Sequence, residues 1–499
     1  MDCPATPPTP VYSIAEIRAI EARVLAGSPS PPLMERAGLA AADLALKLAG
    51  ERRRVLVLAG PGNNGGDALV AARHLRDRSA KIAVVFDGDA GRLPRDAREA
   101  LDRWLAAGGT LGEELPPLGD FDLVVDGLFG IGLTRDVTGR TARWIDTLNG
   151  SPPVVLSLDV PSGLHADTGR ILGTCVRADH TLTFLGLKPG LLTMDGPDCA
   201  GTIHATTLGL TPVQLGDARG HLTGTDVIRR SLPLRRRNTH KGTYGDVVVV
   251  GGAEGMTGAA LLAGRAALLM GAGRVRVAML APDAPAVDVL HPELMLRRVD
   301  DTGILDGATA VVAGPGIGQS AHAGRMLDRI LALQVPLVLD ADALNLVALD
   351  EQRAAATARR LGATLLTPHP AEAARLLACT TAEVQHDRVS AALRIARRLN
   401  AWTVLKGAGS VCAGPDGSWF LNMSGNPGMA APGMGDVLAG ILGAFLARGI
   451  DPGDALQAGV HLHGLAGDDA TALQSGTWGL TAGEVALAAR RVANRFATS

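Results

Sequence analysis

The segment GPGNNGGD at 60–67 joins four glycines to a carboxylate and directly follows the apolar run 55–59. A helical pattern over 68–75 comes next, so we expect a strand, a loop and a helix in that order. Backbone N–H groups at a helix N-terminus favour an anion such as a phosphate. The segment matches neither GxGxxG nor GxxxxGK[ST]. Asn63, Asn64 and Asp67 add oxygen atoms, so the loop suits a phosphate-bearing ligand together with a hard cation.

A second motif of this kind, PGMGD at 432–436, precedes a helical pattern over 437–447. The N–H groups of Gly433, Met434 and Gly435 can neutralise charge on a transferring phosphate. Asp436 can take a proton from a hydroxyl. The loops GNPGMAA at 425–431 and KGAGS at 406–410 are also suited to a nucleotide. The motif therefore predicts phosphoryl-transfer chemistry in this half of the chain.

Polar side chains follow three more strand-like runs of the first half. Asp126 precedes GLFGIGLTRD at 127–136, and the motifs DVPSG and LGLKPG lie at 159–163 and 185–190. The carboxyl ends of parallel strands form the ligand-binding edge of an α/β sheet. Asn64, Asp126 and Ser162 would offer oxygen ligands for a hard cation there. Asp126 or Asp159 alone fits a turn or capping role equally well, but the motifs together favour a site.

Three further motifs follow strand-like runs of the second half: AGPGIG at 313–318, DADALN at 340–345 and TPHPAE at 367–372. His369 lies between two prolines, which hold the chain extended at this point. We interpret His369 as a ligand contact rather than as a packed histidine.

Lysine is rare in this chain, since only five of the 48 basic residues are lysines. The ammonium is more compact and more readily deprotonated than the guanidinium, so lysine is expected mainly where arginine cannot replace it. Lys188, Lys241 and Lys406 each lie in a motif rich in glycine or proline, and we predict functional roles for them. Asp159 and Lys188 are the acid and the ammonium on adjacent strand exits. Lys47 and Lys81 have ordinary surface contexts.

Apolar strand-like runs alternate with helical stretches throughout, which predicts an α/β fold with parallel sheets. A capping box is predicted at Ser13 and Glu16, followed by a second helix over 37–49. A β-ribbon is predicted from Ser410–Ala413 and Trp419–Asn422. The remaining predicted strands are Arg54–Ala59, Lys81–Phe86, 121–125, Val154–Leu158, 181–184, 246–250, Arg274–Met279, 310–312, Leu337–Leu339, Thr364–Leu366 and 403–405.

The 499 residues are too many for one hydrophobic core and predict two domains, with the boundary between residues 209 and 224. The net charge of -2 argues against a nucleic-acid partner. We expect no membrane partner, since no apolar run is long enough to span a bilayer and no secretory signal is present. The five scattered cysteines are expected to be reduced thiols in a cytoplasmic protein, without structural zinc.

These motifs, in this order, resemble the family of bifunctional NAD(P)H-hydrate repair enzymes over nearly the full chain. NNGGD, DVPSG and KPG resemble the signatures of its epimerase domain. HKGTYGDV at 240–247, GPGIG, DADALN, TPHPAE, KGAGS and GMGD resemble those of its ribokinase-like, ADP-dependent dehydratase domain. The resemblance implies a Rossmann-like three-layer epimerase domain over 1–213 and a ribokinase-like three-layer α/β/α dehydratase domain over 220–499.

In the first domain, the resemblance implies epimerisation of the hydrated nicotinamide ring of NADHX or NADPHX at C6. Potassium would lie at Asn64, Asp126 and Ser162. Asp159 would lie near the reacting ring, with Lys188 close by, and both are candidate catalytic residues. The implied contacts of the hydrated dinucleotide are Asp159 and two groups, Asn63, Asn64, Gly65, Gly66 and Asp67, and Gly130, Ile131, Gly132, Leu133, Thr134, Arg135 and Asp136.

In the second domain, the resemblance implies that ADP phosphorylates the C6 hydroxyl of the (S) hydrate, which the catalytic residue Asp436 activates. Loss of phosphate then restores the nicotinamide, and Mg²⁺ is implied by the phosphoryl chemistry. The implied hydrate contacts are Ala259, Gly318, His369 and Asp436. The implied ADP contacts are Lys406, Gly407, Ala408, Gly409, Ser410 and Gly435. We also expect a homo-oligomer.

Met434 departs from the pattern, because related enzymes carry a small residue or a hydroxyl at this position. We expect activity to survive, since the loop works through backbone N–H groups.

Two other functions fit parts of the chain. A ribokinase-like kinase of a small alcohol, with a non-catalytic ligand-binding first domain, would use the same anion loop and Asp436. A first domain that binds but does not catalyse is the second alternative. The complete set Asn64, Asp126, Asp159 and Lys188 argues against both.

Overall fold

The computed structural model describes residues 9–27, 30–51, 53–78, 80–150 and 153–497. The chain divides into two compact units, Pro10–Gly220 and His221–Ser499, the latter together with Met1–Thr9. Among the described residues, no helix has both the length and the apolar character needed to cross a bilayer.

The first unit alternates strands with helices. Its strands are β1 (Pro10–Val11), β2 (Arg54–Ala59), β3 (Lys81–Phe86), β4 (Leu123–Gly127), β5 (Val154–Leu158), β6 (His180–Phe184) and β7 (Thr202–Thr206). Its α-helices are α1 (Ile14–Ala26), α2 (Leu33–Leu48), α3 (Asn63–Asp77), α4 (Arg95–Ala106), α5 (Gly139–Gly150), α6 (Gly196–Cys199) and α7 (Pro212–Leu215). Short 3₁₀ turns lie at Ala90–Arg92, Leu118–Asp120 and Pro189–Leu191.

The sheet of this unit is parallel, in the order β3-β2-β4-β5-β6-β7. Because side chains alternate along a strand, Val55 and Val57 face one core with α1 to α4, whereas Leu56 and Leu58 face a second core with α5. Helices on both faces make a three-layer, Rossmann-like fold. From β2 the chain adds β3 on one side of the sheet and then β4 on the other. This change in strand order between β2 and β4 places a crevice at their carboxyl ends.

The second unit has strands β8 (Gly220–Leu222), β9 (Asp246–Gly251), β10 (Arg274–Met279), β11 (Met295–Arg298), β12 (Ala310–Ala313), β13 (Leu337–Leu339), β14 (Thr364–Leu366), β15 (Trp402–Leu405), β16 (Ser410–Ala413) and β17 (Trp419–Asn422). Its α-helices are α8 (Thr225–Ser231), α9 (Thr257–Leu269), α10 (Ala321–Leu331), α11 (Asp342–Ala348), α12 (Glu351–Ala358), α13 (Pro370–Leu377), α14 (Thr381–His386), α15 (Arg388–Leu399), α16 (Met434–Ala447), α17 (Pro452–Gln474) and α18 (Ala482–Ala497). Two 3₁₀ turns lie at Lys241–Tyr244 and Pro427–Met429.

Strands β11-β10-β9-β12-β13-β14-β15 form a parallel sheet, which β16 and β17 extend as the predicted antiparallel ribbon. Val247 and Val249 face a core built with α9, α16, α17 and α18. Helices α10 and α15 contact β12 and β15, so the sheet is covered on both faces. This is the three-layer α/β/α arrangement predicted from the sequence. Helix α16 is apolar on nearly all sides, which explains its burial in the middle of this core.

The predicted strands are confirmed to within one residue at their ends, except β4, which lies two residues later in the chain. Strand β4 begins at Leu123 rather than at residue 121, because the N–H of Phe121 closes the preceding 3₁₀ turn on Leu118. Asp126 therefore lies inside the strand and not after it.

The two glycine motifs are helical where the sequence predicts loops. Helix α3 begins at Asn63, five residues before the predicted start, and α16 begins at Met434. A Cβ at Gly65 would lie 2.0 Å from the Gly60 carbonyl oxygen, so glycine is required there by contact and not by a loop conformation. Helix propensity, which disfavours glycine, misled the sequence prediction.

Candidate active sites

The first unit has a cavity of about 440 Å³ at the crevice between β2 and β4. It is lined by Asn63, Asn64 and Asp67 from the start of α3, by eight residues (128–135) of the loop after β4, and by Asp159 after β5. Of the predicted ligand contacts, the loop residues that line it are Gly130, Ile131, Gly132, Leu133, Thr134 and Arg135. The structure therefore brings together motifs that are up to 100 residues apart in the sequence.

Gly65 and Gly66 do not line this cavity. A Cβ at Gly65 would strike the Gly60 backbone, and one at Gly66 would lie 2.7 Å from the Met34 side chain. Their role in ligand binding, and that of Asp136, stay predictions. Their observed role is to let α3 pack close to its neighbours, which positions Asn64 and Asp67.

Lys188 and Asp159 form a buried ion pair. The Lys188 ammonium donates to Asp159 Oδ1 at 2.5 Å, to Phe184 O at 2.6 Å and to Thr183 Oγ1 at 2.8 Å. Asp159 Oδ2 accepts the N–H of Ile131 at 3.2 Å. Asp159 has a φ of +65°, a strained value that its contacts hold in place. The pair fixes one carboxylate at the wall of the cavity, and the ammonium stays behind it.

Asp126 is fully buried and saturated with hydrogen bonds. Its carboxylate accepts the Ser162 hydroxyl at 2.6 Å, the Ser162 N–H at 2.9 Å and the Ser157 hydroxyl at 2.8 Å. Burial raises the pKa of Asp126, and the hydrogen bonds from Ser162 and Ser157 oppose that rise. The structure thus joins two of the three predicted potassium ligands directly.

Asn64, the third predicted potassium ligand, has an unsatisfied oxygen. Its Nδ2 donates to Leu158 O at 3.2 Å, whereas its buried Oδ1 has no partner among the described residues. A buried acceptor without a partner is costly, and a bound cation would satisfy it. The residues present therefore fit a cation, which hard oxygen donors suit. No group of three or more metal-binding His, Cys, Asp or Glu side chains occurs in the described part of the chain.

Sequence reasoning missed the contribution of α1, which brings Ile17, Arg18 and Glu21 to the cavity. Burial, and then the Asp159 charge, raise the pKa of Glu21. Burial also raises the pKa of Asp67 well above its usual value, with Asp159, Glu21 and Asp96 adding to the effect. A usable signal existed in the sequence, because Glu21 follows the apolar Ile17 by four residues and so shares its helix face.

In the second unit, the strand ends hold a second ion pair. Lys406 Nζ lies 3.0 Å from Asp340 Oδ1, and the same oxygen accepts the Thr367 hydroxyl at 2.6 Å. Burial lowers the pKa of Lys406, but the carboxylates of Asp340, Glu372 and Asp436 outweigh it and raise the pKa overall. The ammonium therefore stays charged beside the start of α16.

Asp436 lies in the first turn of α16, behind Gly433 at the N-cap. Burial raises the pKa of Asp436 to about 7, Asp340 adds to the rise, and Lys406 opposes it. Such a carboxyl can both take and give a proton near neutral pH. Met434 is buried in the core, so its side chain takes no space at the anion-binding loop.

Gly435 lies against the Lys406 and Asp340 pair. A Cβ at this position would be 3.1 Å from Lys406 Nζ and 3.6 Å from Asp340 Oδ2. Lys406 and Gly435, both predicted on the nucleotide side, are thus neighbours. The rest of the KGAGS motif forms a turn in which the Ser410 hydroxyl donates to Gly407 O at 2.9 Å. Ala408 and Gly409 belong to the same turn, and Gly409 has a positive φ.

His369 is the N-cap of α13. Its Nδ1 accepts the N–H groups of Ala371 and Glu372, and its Nε2 lies 3.2 Å from Glu372 Oε1. Burial, Lys406 and Arg375 lower the pKa of His369, which keeps the ring neutral. Its observed contacts belong to the helix cap, and the contact with a hydrate stays a prediction.

Two other predicted hydrate contacts come close together. Ala259 lies in the first turn of α9, and its Cβ would be 3.2 Å from a Cβ built at Gly316, two residues before Gly318. The Gly318 N–H donates to Asp342 Oδ2 at 3.1 Å. Lys241 is exposed and forms no ion pair within the described residues, so a functional role has no support from contacts.

His463 of α17 was not predicted. It is 9% exposed, it hydrogen-bonds to the Met434 backbone, and its Nε2 has no partner among the described residues. Burial and Lys406 lower the pKa of His463 to about 4, so the ring is neutral. Its sequence context, an apolar helix, resembles that of any packed histidine.

The fold and these sites define a two-unit α/β enzyme with a Rossmann-like unit and a ribokinase-like unit. A family model described as YjeF-related protein N-terminus matches residues 30–190, and one described as NAD(P)H-hydrate dehydratase matches 247–487. The bifunctional NAD(P)H-hydrate repair enzyme of Escherichia coli (strain K12) is 38% identical, with 93% of this chain and 89% of that protein covered. The chain belongs to the family of bifunctional NAD(P)H-hydrate repair enzymes.

Two further proteins are similar to this chain, one identified by its sequence and one by its solved structure. The bifunctional repair enzyme of Thermofilum pendens is 38% identical, with 94% of each chain covered. A crystal structure of the ADP/ATP-dependent NAD(P)H-hydrate dehydratase from Bacillus subtilis, co-crystallised with ATP and Mg²⁺, is 31% identical. It covers 55% of this chain and 98% of its own, with a TM-score of 0.48.

Proposed function

We propose that this chain is a bifunctional enzyme that repairs hydrated NADH and NADPH. The first unit interconverts the (R) and (S) hydrates, and the second dehydrates the (S) hydrate with ADP, which gives AMP and phosphate. The observation that supports the proposal most is that each unit brings its own predicted site residues together, Asp159 with Asn64 and Asp67 in the first and Asp436 with Lys406 in the second. In each site a helix N-terminus and a carboxylate from a strand end lie together.

In the first unit, loss of hydroxide from C6 gives a conjugated iminium, to which water returns on the other face. Asp159 lies at the cavity wall, where it can orient that water or take its proton, and Lys188 keeps the Asp159 carboxylate paired. Of the predicted dinucleotide contacts, Asn63, Asn64, Asp67 and residues 130–135 line the same cavity. Gly65, Gly66 and Asp136 are proposed with them. Asn64, Asp126 and Ser162 would hold potassium, which supplies positive charge for the phosphate-bearing ligand.

In the second unit, Asp436 takes the proton of the C6 hydroxyl as that oxygen attacks the terminal phosphorus of ADP. Lys406 and the N–H groups at the start of α16 stabilise the phosphate charge. The C6–O bond then breaks with phosphate as the leaving group, and loss of the C5 proton forms the C5–C6 double bond and restores the dihydronicotinamide. Mg²⁺ bound together with ADP would supply further charge neutralisation. Ala259, Gly318 and His369 are proposed for the hydrate, and the residues from Lys406 to Ser410 with Gly435 for ADP.

The test uses the purified chain and chemically hydrated NADH, followed at 340 nm with ADP, with ATP, or with neither. We expect the absorbance of NADH to return when ADP or ATP is present. We expect the (R) hydrate to be consumed at the rate at which the first unit converts it to the (S) hydrate. A chain that phosphorylates a small alcohol but never restores the absorbance would be a kinase. We also propose a cytoplasmic homo-oligomer, which sedimentation analysis and fractionation test.

A further inference from the structure

Inversion at one carbon by loss and return of water needs two proton carriers. One must protonate the hydroxide that leaves, and the other must accept a proton from the water that enters on the opposite face. The predicted pair for these tasks is Asp159 and Lys188. The inference below rests on the proposed epimerase function and concerns the identity of the second carrier.

Lys188 is not placed to be that carrier. Its side chain is 0% exposed, and its ammonium donates to three acceptors: Asp159, Thr183 and Phe184. An ammonium has three hydrogens, so none is left for a substrate. Lys188 therefore acts through Asp159 and is a positioning residue.

Two other carboxyl groups reach the same cavity, Glu21 from α1 and Asp67 from α3. Neither has a hydrogen bond or an ion pair with any residue that the structure describes. Asp67 has Asp159, Glu21 and Asp96 as its charged neighbours, all of which disfavour its ionised form. Glu21 faces Asp159, which raises its pKa, and also Lys188 and Arg18, which lower it, so its neighbours carry both signs of charge.

Glu21 is also firmly positioned. Helix α1 starts with a capping box between Ser13 and Glu16, and Ile17, Ile20 and Val24 anchor it in the core. One turn separates Ile17 from Glu21, so packing of this face holds the carboxyl at the cavity. Its pKa is raised by burial first and by Asp159 second, so it keeps its proton to a higher pH than an ordinary glutamate.

We propose that Glu21 is the second catalytic carboxyl of the first unit and acts together with Asp159. The C6–O bond breaks with both electrons on oxygen, and the Glu21 proton converts the leaving hydroxide into water. A second water then forms the new C6–O bond and gives one proton to Asp159. One water leaves and one enters. In the reverse reaction Asp159 gives the proton and Glu21 accepts it. After a forward turnover, the proton moves from Asp159 back to Glu21 through solvent.

The test compares Glu21→Gln, Glu21→Asp and Asp67→Asn in the full chain, with Glu113→Gln as a surface control. The assay follows inversion of (R)-NADHX and incorporation of ¹⁸O from labelled water over pH 5 to 9. We expect Glu21→Gln to lose about 10²–10⁴-fold in kcat for inversion, together with the alkaline limb of its pH profile. Glu21→Asp should recover part of the rate with a shifted limb.

Dehydration of (S)-NADHX by the same preparations reports on the other unit and should stay unchanged. Glu21→Gln with wild-type inversion would overturn the inference, and loss of inversion in Asp67→Asn alone would transfer the role to Asp67. Loss of (R)-NADHX binding in Glu21→Gln, measured by calorimetry, would also overturn it in favour of a binding role. A wild-type chain that does not invert (R)-NADHX at all would instead overturn the proposed function.

Discussion

The Lys188 ammonium lies 2.5 Å from Asp159 Oδ1 and has no exposed surface. The pair comes from two neighbouring strand exits, and it holds one carboxylate against the cavity while the cation remains inside the protein. The ion pair gives different positions to Asp159 and Lys188, which the sequence presents as two equivalent catalytic candidates. Asp159 lies at the cavity wall, and Lys188 determines how Asp159 is held.

Lys188→Met should destabilise the first unit by about 3–5 kcal/mol, because removal of one partner leaves a buried charge unpaired. Urea denaturation followed by tryptophan fluorescence measures the loss. The exposed Lys47→Met is the matched control and should change stability little. The double variant Lys188→Met, Asp159→Leu should regain part of the loss, and a single variant as stable as the wild type would contradict the buried pair.

Asp436→Asn should reduce dehydration by about 10²–10⁴-fold and leave epimerisation intact, since it removes one acid–base group from one unit. In the wild type, kcat/KM for dehydration should rise with pH up to about 7, because Asp436 must lose its proton to act as a base. Initial rates over pH 5.5 to 9 give the profile. A flat profile, or a loss below about twofold in the variant, would reject this assignment.

Asp436→Asn should also stabilise the second unit at alkaline pH. In the unfolded chain the carboxyl ionises near its usual value of 3.8, whereas in the folded chain its pKa is about 7. Between these values only the unfolded chain releases the proton, so the contribution of Asp436 to stability falls as the pH rises. Thermal denaturation should show a higher Tm for the variant at pH 8 but not at pH 3.5. Equal differences at both values would contradict the burial argument.

Gly435→Ala should weaken ADP binding while the second unit remains folded. The added methyl would lie 3.1 Å from Lys406 Nζ, so the ammonium must move away from the start of α16. We expect the KM for ADP to rise more than the KM for the hydrate. Gly483→Ala in α18, where a Cβ meets nothing within 4 Å, is the control. An unchanged KM for ADP would show that Lys406 does not serve the nucleotide.

Potassium should raise the Tm of the wild-type first unit, and Asn64→Ala should abolish that rise. The reason is the buried Asn64 Oδ1, which has no partner within the described residues. Differential scanning fluorimetry in potassium, sodium and choline chloride separates cation binding from ionic strength. A potassium response that persists in Asn64→Ala would place the cation elsewhere.

Both three-layer folds are predictable from the sequence, because each buried parallel strand is a short apolar run that a turn motif follows. The strands that escaped prediction within the described residues are β1, β7, β8 and β11. β1 and β8 have only two and three residues, and β7 and β11 mix polar with apolar side chains. A strand that is exposed along one side lacks the continuous apolar pattern of a central strand. The starts of α3 and α16 were misplaced for another reason, since glycine has a low helix propensity, whereas Gly65 is required in α3 by close packing.

The sequence by itself determined which residues carry the chemistry, since carboxylates, lysines and glycines occur at strand ends in motifs that can be recognised one at a time. Only the tertiary structure decided which of them meet and which are turned away. Asp159 reaches the cavity and Lys188 stays behind it. Glu21 reaches the same cavity from α1, whose local pattern places this carboxyl on the buried helix face but does not say which site it faces. The physical reason is that burial, hydrogen bonding and charge at a site depend on elements that are distant in the chain, and these determine the protonation state of each group.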